Sequence, residues 1–311
     1  MGIAILSGIL TDLKKPKMFP PSTSNSGTST PIEKAPTPNR LPSRFIACVR
    51  RPESAKKIKD ALKKVNPWVF EDKKTLRIVQ NDNVNACRVA EVVLLGCKPY
   101  MVNEILETEG MREALHGKLL ISICAGVTVS QMETALYGMH VPEGGCTLVR
   151  AMPNTASGIQ ESMTVIATST PALPTEASAI VEWIFERIGK VVHLPASTMD
   201  ASTALCGSGP AFFALMLEAA IDGAVAMGLP RAEAQKMAAQ TMKGTACMVL
   251  EGEHPALLRD KVTTPGGCTI GGLLILEEGR VRGTVARAVR EATVVASQLG
   301  QGVQGVNGTR F

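Results

Sequence analysis

The chain has 311 residues, of which 45% are hydrophobic, 20% charged and only 4% aromatic, and its formal net charge is +5. That length accommodates about two domains with a sizeable core, and the scarcity of aromatic residues argues against a base-stacking nucleic-acid surface. The modest positive charge suits an anionic small molecule, although for any one cluster a solvated basic face is the plainer reading.

In chain order, Ile3, Ile5, Leu6 and Ile9 fall near helical spacing, with small Ala4, Ser7 and Gly8 between them. This first stretch therefore reads as the tail of a glycine-rich turn running into a helix. Residues 14–43 are rich in Pro, Ser and Thr and carry no apolar period, which predicts a disordered or partly polyproline insertion. Strands are then expected at 44–49, 76–79, 92–96, 119–123, 146–151 and 163–167. Helices are expected between and after them at 55–65, 84–90, 101–115, 128–136 and 175–188. Such alternation predicts a doubly wound parallel sheet covered on both faces, with its ligand beyond the carboxyl ends of the strands.

Beyond about Ala196 the strand signals stop. One helix is expected with Ser208 as N-cap, Pro210 in its first turn and Gly228 as its stop. A second spans 231–250, between Pro230 and Gly252, and residues 270–299 hold one or more others. Ala and Gly recur along these helices, so a dimer interface is expected here, with an ordinary intramolecular bundle as the alternative.

The eight cysteines are scattered singly, without a C-x-x-C pair, and the four histidines are equally dispersed, so no metal site is expected. Buried thiols in a reducing compartment, and hence a cytoplasmic location, are the better fit. Cys206-Gly-Ser-Gly-Pro210 sets its serine one place off the G-x-S-x-G register, which argues against a serine hydrolase. No apolar run is read as reaching the roughly 18 to 20 residues of a membrane span.

Three stretches carry chemistry. Residues 92–99 end an apolar strand with Gly96, Cys97, Lys98 and Pro99, and Ser122-Ile-Cys-Ala-Gly126 repeats the small-residue ending at the next strand. Two such ends side by side suit a flat ring such as nicotinamide, and an ordinary strand-to-helix loop fits the first equally well. Arg50, Arg51 and Ser54 follow a strand where an acidic residue would bind the diol of NAD. They favour the 2'-phosphate of NADP instead, with solvated surface arginines an equal reading. In Lys261-Val-Thr-Thr-Pro-Gly-Gly-Cys-Thr269, Gly266 and Gly267 free a turn, Thr264 and Thr269 add hydroxyls, and a helix expected from near Ile270 adds its positive end. Together they would hold a small carboxylate.

Four segments then occur in order at fitting separations: Arg150-Ala-Met-Pro-Asn-Thr155, Gly207-Ser-Gly-Pro-Ala211, Asp222-Gly223 with Met227-Gly-Leu-Pro230, and the loop from Asp260 to Thr269. Together they resemble the pyrroline-5-carboxylate reductase family over nearly the whole chain, except the insertion and the tail after Leu299. The resemblance implies a Rossmann domain over 1–195 with its insertion at 14–43, a helical dimerisation and substrate domain over 196–300, and a flexible tail at 301–311. It implies reduction of the small-molecule imine 1-pyrroline-5-carboxylate to L-proline by NADPH, with NADH possible; from composition and the absence of a long apolar run, no nucleic acid or membrane partner is expected.

By motif matching, the resemblance sets Asn83, Gly96, Cys97, Lys98, Pro99, Ala125 and Gly126 against the dinucleotide and Thr264, Gly267 and Thr269 against the substrate. Thr269 would hydrogen-bond the ring nitrogen or pass it a proton through water, while Thr264 and the Gly266-Gly267 amides fix the carboxylate. The family's sites are assembled across a homodimer, and members often associate further into pentamers of dimers.

Family members begin with a strand and a turn of the kind Gly-x-Gly-x-Met-Gly, and MGIAILSGIL matches the last two residues of that turn and the helix after it, so Gly2 falls at the cofactor. The expectation is a first strand missing from the given chain, with the real start upstream and weak NADPH binding as the consequence. The competing expectations are another imine or hydroxyacid reductase of the same fold, and a catalytically impaired truncated subunit.

Overall fold

The computed structural model describes residues 1–14, 38–70, 75–301 and 303, so the core of the expected insertion and most of the expected tail lie outside the described residues. The chain divides into two compact units, Met1–Gly207 with Thr293–Phe311, and Ser208–Ala292.

The first unit opens with helix α1 (Gly2–Lys14), followed by strand β1 (Phe45–Val49), helix α2 (Pro52–Val65), strand β2 (Leu76–Gln80), helix α3 (Asn83–Val89) and strand β3 (Val92–Leu95). Helices α4 (Val102–Leu106) and α5 (Met111–Leu115) precede strand β4 (Leu119–Ser122), helix α6 (Val129–Tyr137), strand β5 (Thr147–Met152) and strand β6 (Ser162–Thr168). Helix α7 (Thr175–Glu186), strand β7 (Gly189–Pro195) and the short helix α8 (Met199–Ser202) complete the series.

Strands β1 and β2 pair in parallel as a two-stranded sheet, and β3-β4-β5-β6-β7 form a second sheet of five. Alternating side chains of the second sheet feed two cores, as a pleated sheet covered on both faces requires. Leu119, Ile121, Val149 and Ala151 pack with Ile5, Ile9 and the α7 residues Ile180, Trp183 and Phe185. Leu95, Leu120 and Leu148 pack with Val102, Leu106, Met111, Leu115, Met132 and Leu136 from α4, α5 and α6. Helix α1 serves both sheets, because Leu10, on its other side, packs with Ile58, Leu62 and Val69 beside β1 and β2.

Four features differ from the sequence-based expectation. The five-stranded sheet is not parallel throughout, since β5 and β6 run antiparallel through Ala151↔Ile166 and Met152↔Val165. The connection between them holds one 3-10 turn, too short for a crossover helix, so the chain must double back. Strand β7 was not expected at all: it is half-exposed and carries Lys190, His193 and Pro195, which hides the apolar signal. The helix expected over 101–115 is broken into α4, which ends at Leu106, and α5, whose N-cap Gly110 takes a left-handed φ of +79° that a continuous helix does not allow. Finally, Ser208 caps nothing, because the chain is already helical before it, in a π-helical segment at Thr203–Ser208.

The second unit holds α9 (Gly209–Ala226), α10 (Arg231–Leu250), α11 (Pro255–Lys261), α12 (Cys268–Glu278) and the first turns of α13 (Val281–Gly300). Helix α11 lies between the segments read as helical from sequence. Small residues on α9 and α10, among them Ala220, Ala224, Ala234 and Ala238, line the groove between these two helices. The unit has almost no core of its own. Leu274, Ile275 and Leu276 on α12 are 63%, 66% and 52% exposed, and Leu215 on α9 is 67% exposed. Among the described residues one helical run, 196–226, is long and apolar enough to cross a membrane by length and composition, although it holds no unbroken apolar run of the expected length. Asp200, Glu218 and Asp222 interrupt it and mask it in a simple scan for unbroken apolar residues.

Candidate functional site

The carboxyl ends of β3 and β4 lie next to each other because the ladder between them runs from Val92↔Leu119 to Leu95↔Ser122. The Ile123 amide still donates to the Leu95 carbonyl at 3.0 Å, so Gly96–Pro99 and Cys124–Gly126 leave the sheet side by side. Gly96 and Lys98 are exposed, and Cys97, Pro99 and Ala125 are half-buried. A Cβ on Gly96 would stand 3.3 Å from Ile123 Cδ1, a tight fit that keeps this strand end narrow. Pro99 opens a 3-10 turn and directs the chain away from the sheet.

Gly126 is more enclosed than Ala125 beside it. It is buried at φ +76°, and a Cβ there would lie 2.6 Å from the Gly300 amide nitrogen and 2.7 Å from the Ala296 carbonyl oxygen. Its left-handed φ and the end of α13 pressing on its backbone both call for glycine at this position. Gln131 Nε2 donates to the Gly300 carbonyl at 2.5 Å and holds that helix end in place.

Arg50 and Arg51 are exposed just past β1, and Gln80 Nε2 donates to the Arg50 carbonyl at 3.1 Å across the β1–β2 pair. Arg51 sits at the N-cap position of α2, with Pro52 and half-buried Ser54 in the first turn. Asn83 begins α3 just past β2. Gly2 begins α1 and is exposed, with nothing within 4 Å of a Cβ built on it. These open positions at strand ends and at a helix start fit a dinucleotide carrying phosphates.

The motif beginning at Arg150 has a local structural basis. Asn154 Oδ1 accepts from the Ala156 amide at 3.0 Å and caps the 3-10 turn, and the Asn154 amide donates to Ser162 Oγ at 3.0 Å. Arg150 is only 6% exposed, and its Nη2 has no hydrogen-bond partner among the described residues. Burial lowers the affinity of its guanidinium for its proton, with Asp200 acting in the opposite direction. The sequence gives no sign of this burial, because a lone arginine looks the same whether solvated or enclosed.

Sequence spacing also missed a sulfur pair. Cys97 and Cys124 are 27 residues apart in the chain, yet their Sγ atoms stand 3.9 Å apart.

In the second unit, α11 ends at Lys261, and Thr263 Oγ1 donates back to the Arg259 carbonyl at 2.7 Å. The loop then turns at Gly266, with φ +67°, and the Gly267 amide donates to the Thr264 carbonyl at 3.1 Å. Thr264 Oγ1 comes within 2.5 Å of where a Cβ on Gly267 would be, so any larger residue there would displace the Thr264 hydroxyl. Helix α12 begins at Cys268, two residues earlier than expected, which places Thr269 in its first turn. No side chain caps it. Its first amides and the Thr264 and Thr269 positions form an acceptor-seeking cluster suited to a carboxylate. Lys261 is engaged elsewhere, by Glu253 at 3.1 Å.

Comparison with known proteins agrees with both halves. Residues 196–299 match the family model described as pyrroline-5-carboxylate reductase dimerisation, and residues 30–126 match one described as NADP oxidoreductase, coenzyme F420-dependent. A pyrroline-5-carboxylate reductase from Lophium arboricola is 67% identical, over 100% of this chain and 94% of that protein. One from Neurospora crassa is 56% identical, over 100% of this chain and 93% of that protein. Among solved structures, a pyrroline-5-carboxylate reductase from Coxiella burnetii superposes with a TM-score of 0.67 at 27% identity, covering 83% of this chain and 99% of that one. The NADP-bound pyrroline carboxylate reductase of Plasmodium falciparum superposes with a TM-score of 0.65 at 29% identity, covering 74% of this chain and 84% of that one.

Proposed function

The chain belongs to the pyrroline-5-carboxylate reductase family, and from that premise we propose that its first unit receives NADPH while the loop 264–269 receives the imine. The activity is the reduction of 1-pyrroline-5-carboxylate to L-proline, the closing step of proline synthesis, and the enzyme is an NADP-dependent oxidoreductase.

NADPH, when bound, supplies a hydride to the imine carbon. The protein's own task is to orient and polarise the substrate. Gly96, Cys97, Lys98, Pro99 and Ala125 are the strand-end positions proposed to support the dinucleotide, with Asn83 beside them and Gly2 at the phosphates. Arg50, Arg51 and Ser54 are assigned to the 2'-phosphate, where charge-assisted bonds favour NADPH over NADH. Gly126 is assigned to the same dinucleotide surface, and it also lets its loop pack under α13.

The observation that carries the substrate assignment is the tight turn at Gly266 and Gly267, followed at once by an uncapped helix. Thr264 and the Gly266 and Gly267 amides are proposed to hold the substrate carboxylate. Thr269 is proposed to hydrogen-bond the ring nitrogen, directly or through water, so that positive charge on the nitrogen draws the hydride to carbon. The bound geometry supplies the rest of the acceleration.

We further propose that the exposed apolar surface of α9 and α12 is covered by a second copy, giving a homodimer, and that dimers assemble as pentamers. A cytoplasmic location, with a Rossmann region to residue 195 and a dimerisation region from 196, completes this reading.

The test follows NADPH oxidation with 1-pyrroline-5-carboxylate. Substrate-dependent oxidation is expected, with kcat falling about 100-fold in Thr269→Val, as for removal of one oxyanion-type donor. An unchanged kcat in that variant would remove Thr269 from the chemistry. No oxidation in the unaltered protein would overturn the reductase assignment for this chain.

A further inference from the structure

Strands β3 and β4 end in register at Leu95↔Ser122, and two residues further along each chain stand Cys97 and Cys124. Parallel register therefore sets them opposite each other. Neighbouring strands run about 4.8 Å apart, inside the Cα separation of about 4.4 to 6.8 Å that a disulfide spans. The Sγ atoms are 3.9 Å apart, and Cys124 Sγ also faces the Leu95 and Cys97 carbonyl oxygens at 3.5 and 3.4 Å. Among the described residues no other pair of cysteines lies within hydrogen-bond distance. The proposed chemistry at Thr264–Thr269 uses neither sulfur.

We propose that Cys97 and Cys124 are a reversible oxidation site, closed into a disulfide by a hydroperoxide, which pins the ends of β3 and β4 together and shuts out the dinucleotide. Cys97, the less buried of the two, is oxidised first. Its sulfur attacks one peroxide oxygen and the O–O bond breaks. For hydrogen peroxide, the departing hydroxide leaves as water with the thiol proton, and Cys97 becomes a sulfenic acid. The Cys124 sulfur then attacks that sulfur. The S–S bond forms, the S–O bond breaks, and a second water carries away the Cys124 proton. Two thiols lose two electrons and one peroxide gains them. A dithiol reductant reverses the change by thiol–disulfide exchange.

The exposure of Cys97 sets which sulfur meets the peroxide first, and the hydrogen bond between the two sulfurs sets the pace of each step. That bond holds the Cys97 thiol above its usual value, with burial acting the same way, and it lowers Cys124. Cys124 is thus the readier resolving nucleophile, while Cys97 reacts slowly, so the site responds to sustained rather than trace peroxide.

The disulfide itself follows from the two sulfurs alone, whereas its effect on catalysis rests on the proposed placement of NADPH at these strand ends. The experiment treats the full chain with hydrogen peroxide, maps cross-linked peptides by mass spectrometry and measures NADPH binding before treatment, after it, and after a dithiol. A Cys97–Cys124 cross-link is expected, with at least tenfold weaker NADPH binding that the dithiol restores, and prior NADPH should slow the cross-linking. Cys124→Ala, compared with its own untreated binding, should lose this response while keeping every other cysteine. If exposed Cys48 and Cys247 oxidise while Cys97 and Cys124 remain thiols, the site is overturned; a complete cross-link with undiminished NADPH binding overturns the gating. Cross-linking in a protein that never turns over the imine would leave the thiol pair standing and defeat the reductase assignment instead.

Discussion

The Arg187 carbonyl oxygen lies 2.7 Å from where a Cβ on Gly8 would stand, and Ile188 Cγ2 lies 2.8 Å from it. Helix α1 can therefore reach the turn between α7 and β7 only through glycine. Arg187 Nη1 also donates to Asp12 Oδ2 at 2.8 Å, a second tie between the same segments. Gly8→Ala forces them apart, and a loss of about 1 to 3 kcal/mol is expected from overpacking. Thermal unfolding measures it. A variant as stable as the parent would show that α1 shifts without cost.

Tyr137 Oη accepts from the Cys146 amide at 2.7 Å, and both residues are about 8% exposed. In Tyr137→Phe the ring stays, with Arg112 still stacked 5.5 Å from its centroid, and only the hydroxyl is lost. The orphaned amide is expected to cost about 1 to 3 kcal/mol. Denaturant midpoints read it, and an unchanged midpoint would mean that water takes over the bond.

Arg50 and Arg51 are exposed, so replacing both with alanine should leave folding intact. If they hold the 2'-phosphate, the double variant should raise KM for NADPH by roughly 10- to 100-fold, the value of one or two charge-assisted bonds, and barely change KM for NADH. Equal effects on both cofactors would return these arginines to solvent.

Ile275 is 66% exposed on a helix with almost no buried residue beneath it. Ile275→Glu would place a charge in the surface proposed to meet a second copy. The loss of roughly 1.5 to 3 kcal/mol of apolar burial, together with the cost of enclosing a carboxylate, should drive the assembly towards single chains in sedimentation velocity. An unaltered mass would locate the contact elsewhere on the unit.

Much of this protein is legible from local pattern. Apolar runs such as Val92–Leu95 and Leu119–Ser122, separated by helical periods, identify a two-faced sheet, because period and turn chemistry act over a few residues. The loop ending in Thr269 is readable for the same reason, since two glycines before a helix are a local signal. Its helix starts two residues early because Gly267 closes directly onto Thr264, a contact that the residue types alone do not announce.

Local pattern along the chain is enough to place the alternation of elements, the glycine turns, the helical second half and the family. Tertiary structure alone decided what depends on distant segments meeting: the reversal of β6 against β5, the burial of Gly126 beneath Ala296 and Gly300, the enclosure of Arg150, and the approach of Cys97 to Cys124. The physical reason is that register and close packing are set by which strands and helices become neighbours. Residues 27 positions apart can share a strand end while nothing in either one's immediate sequence records the other.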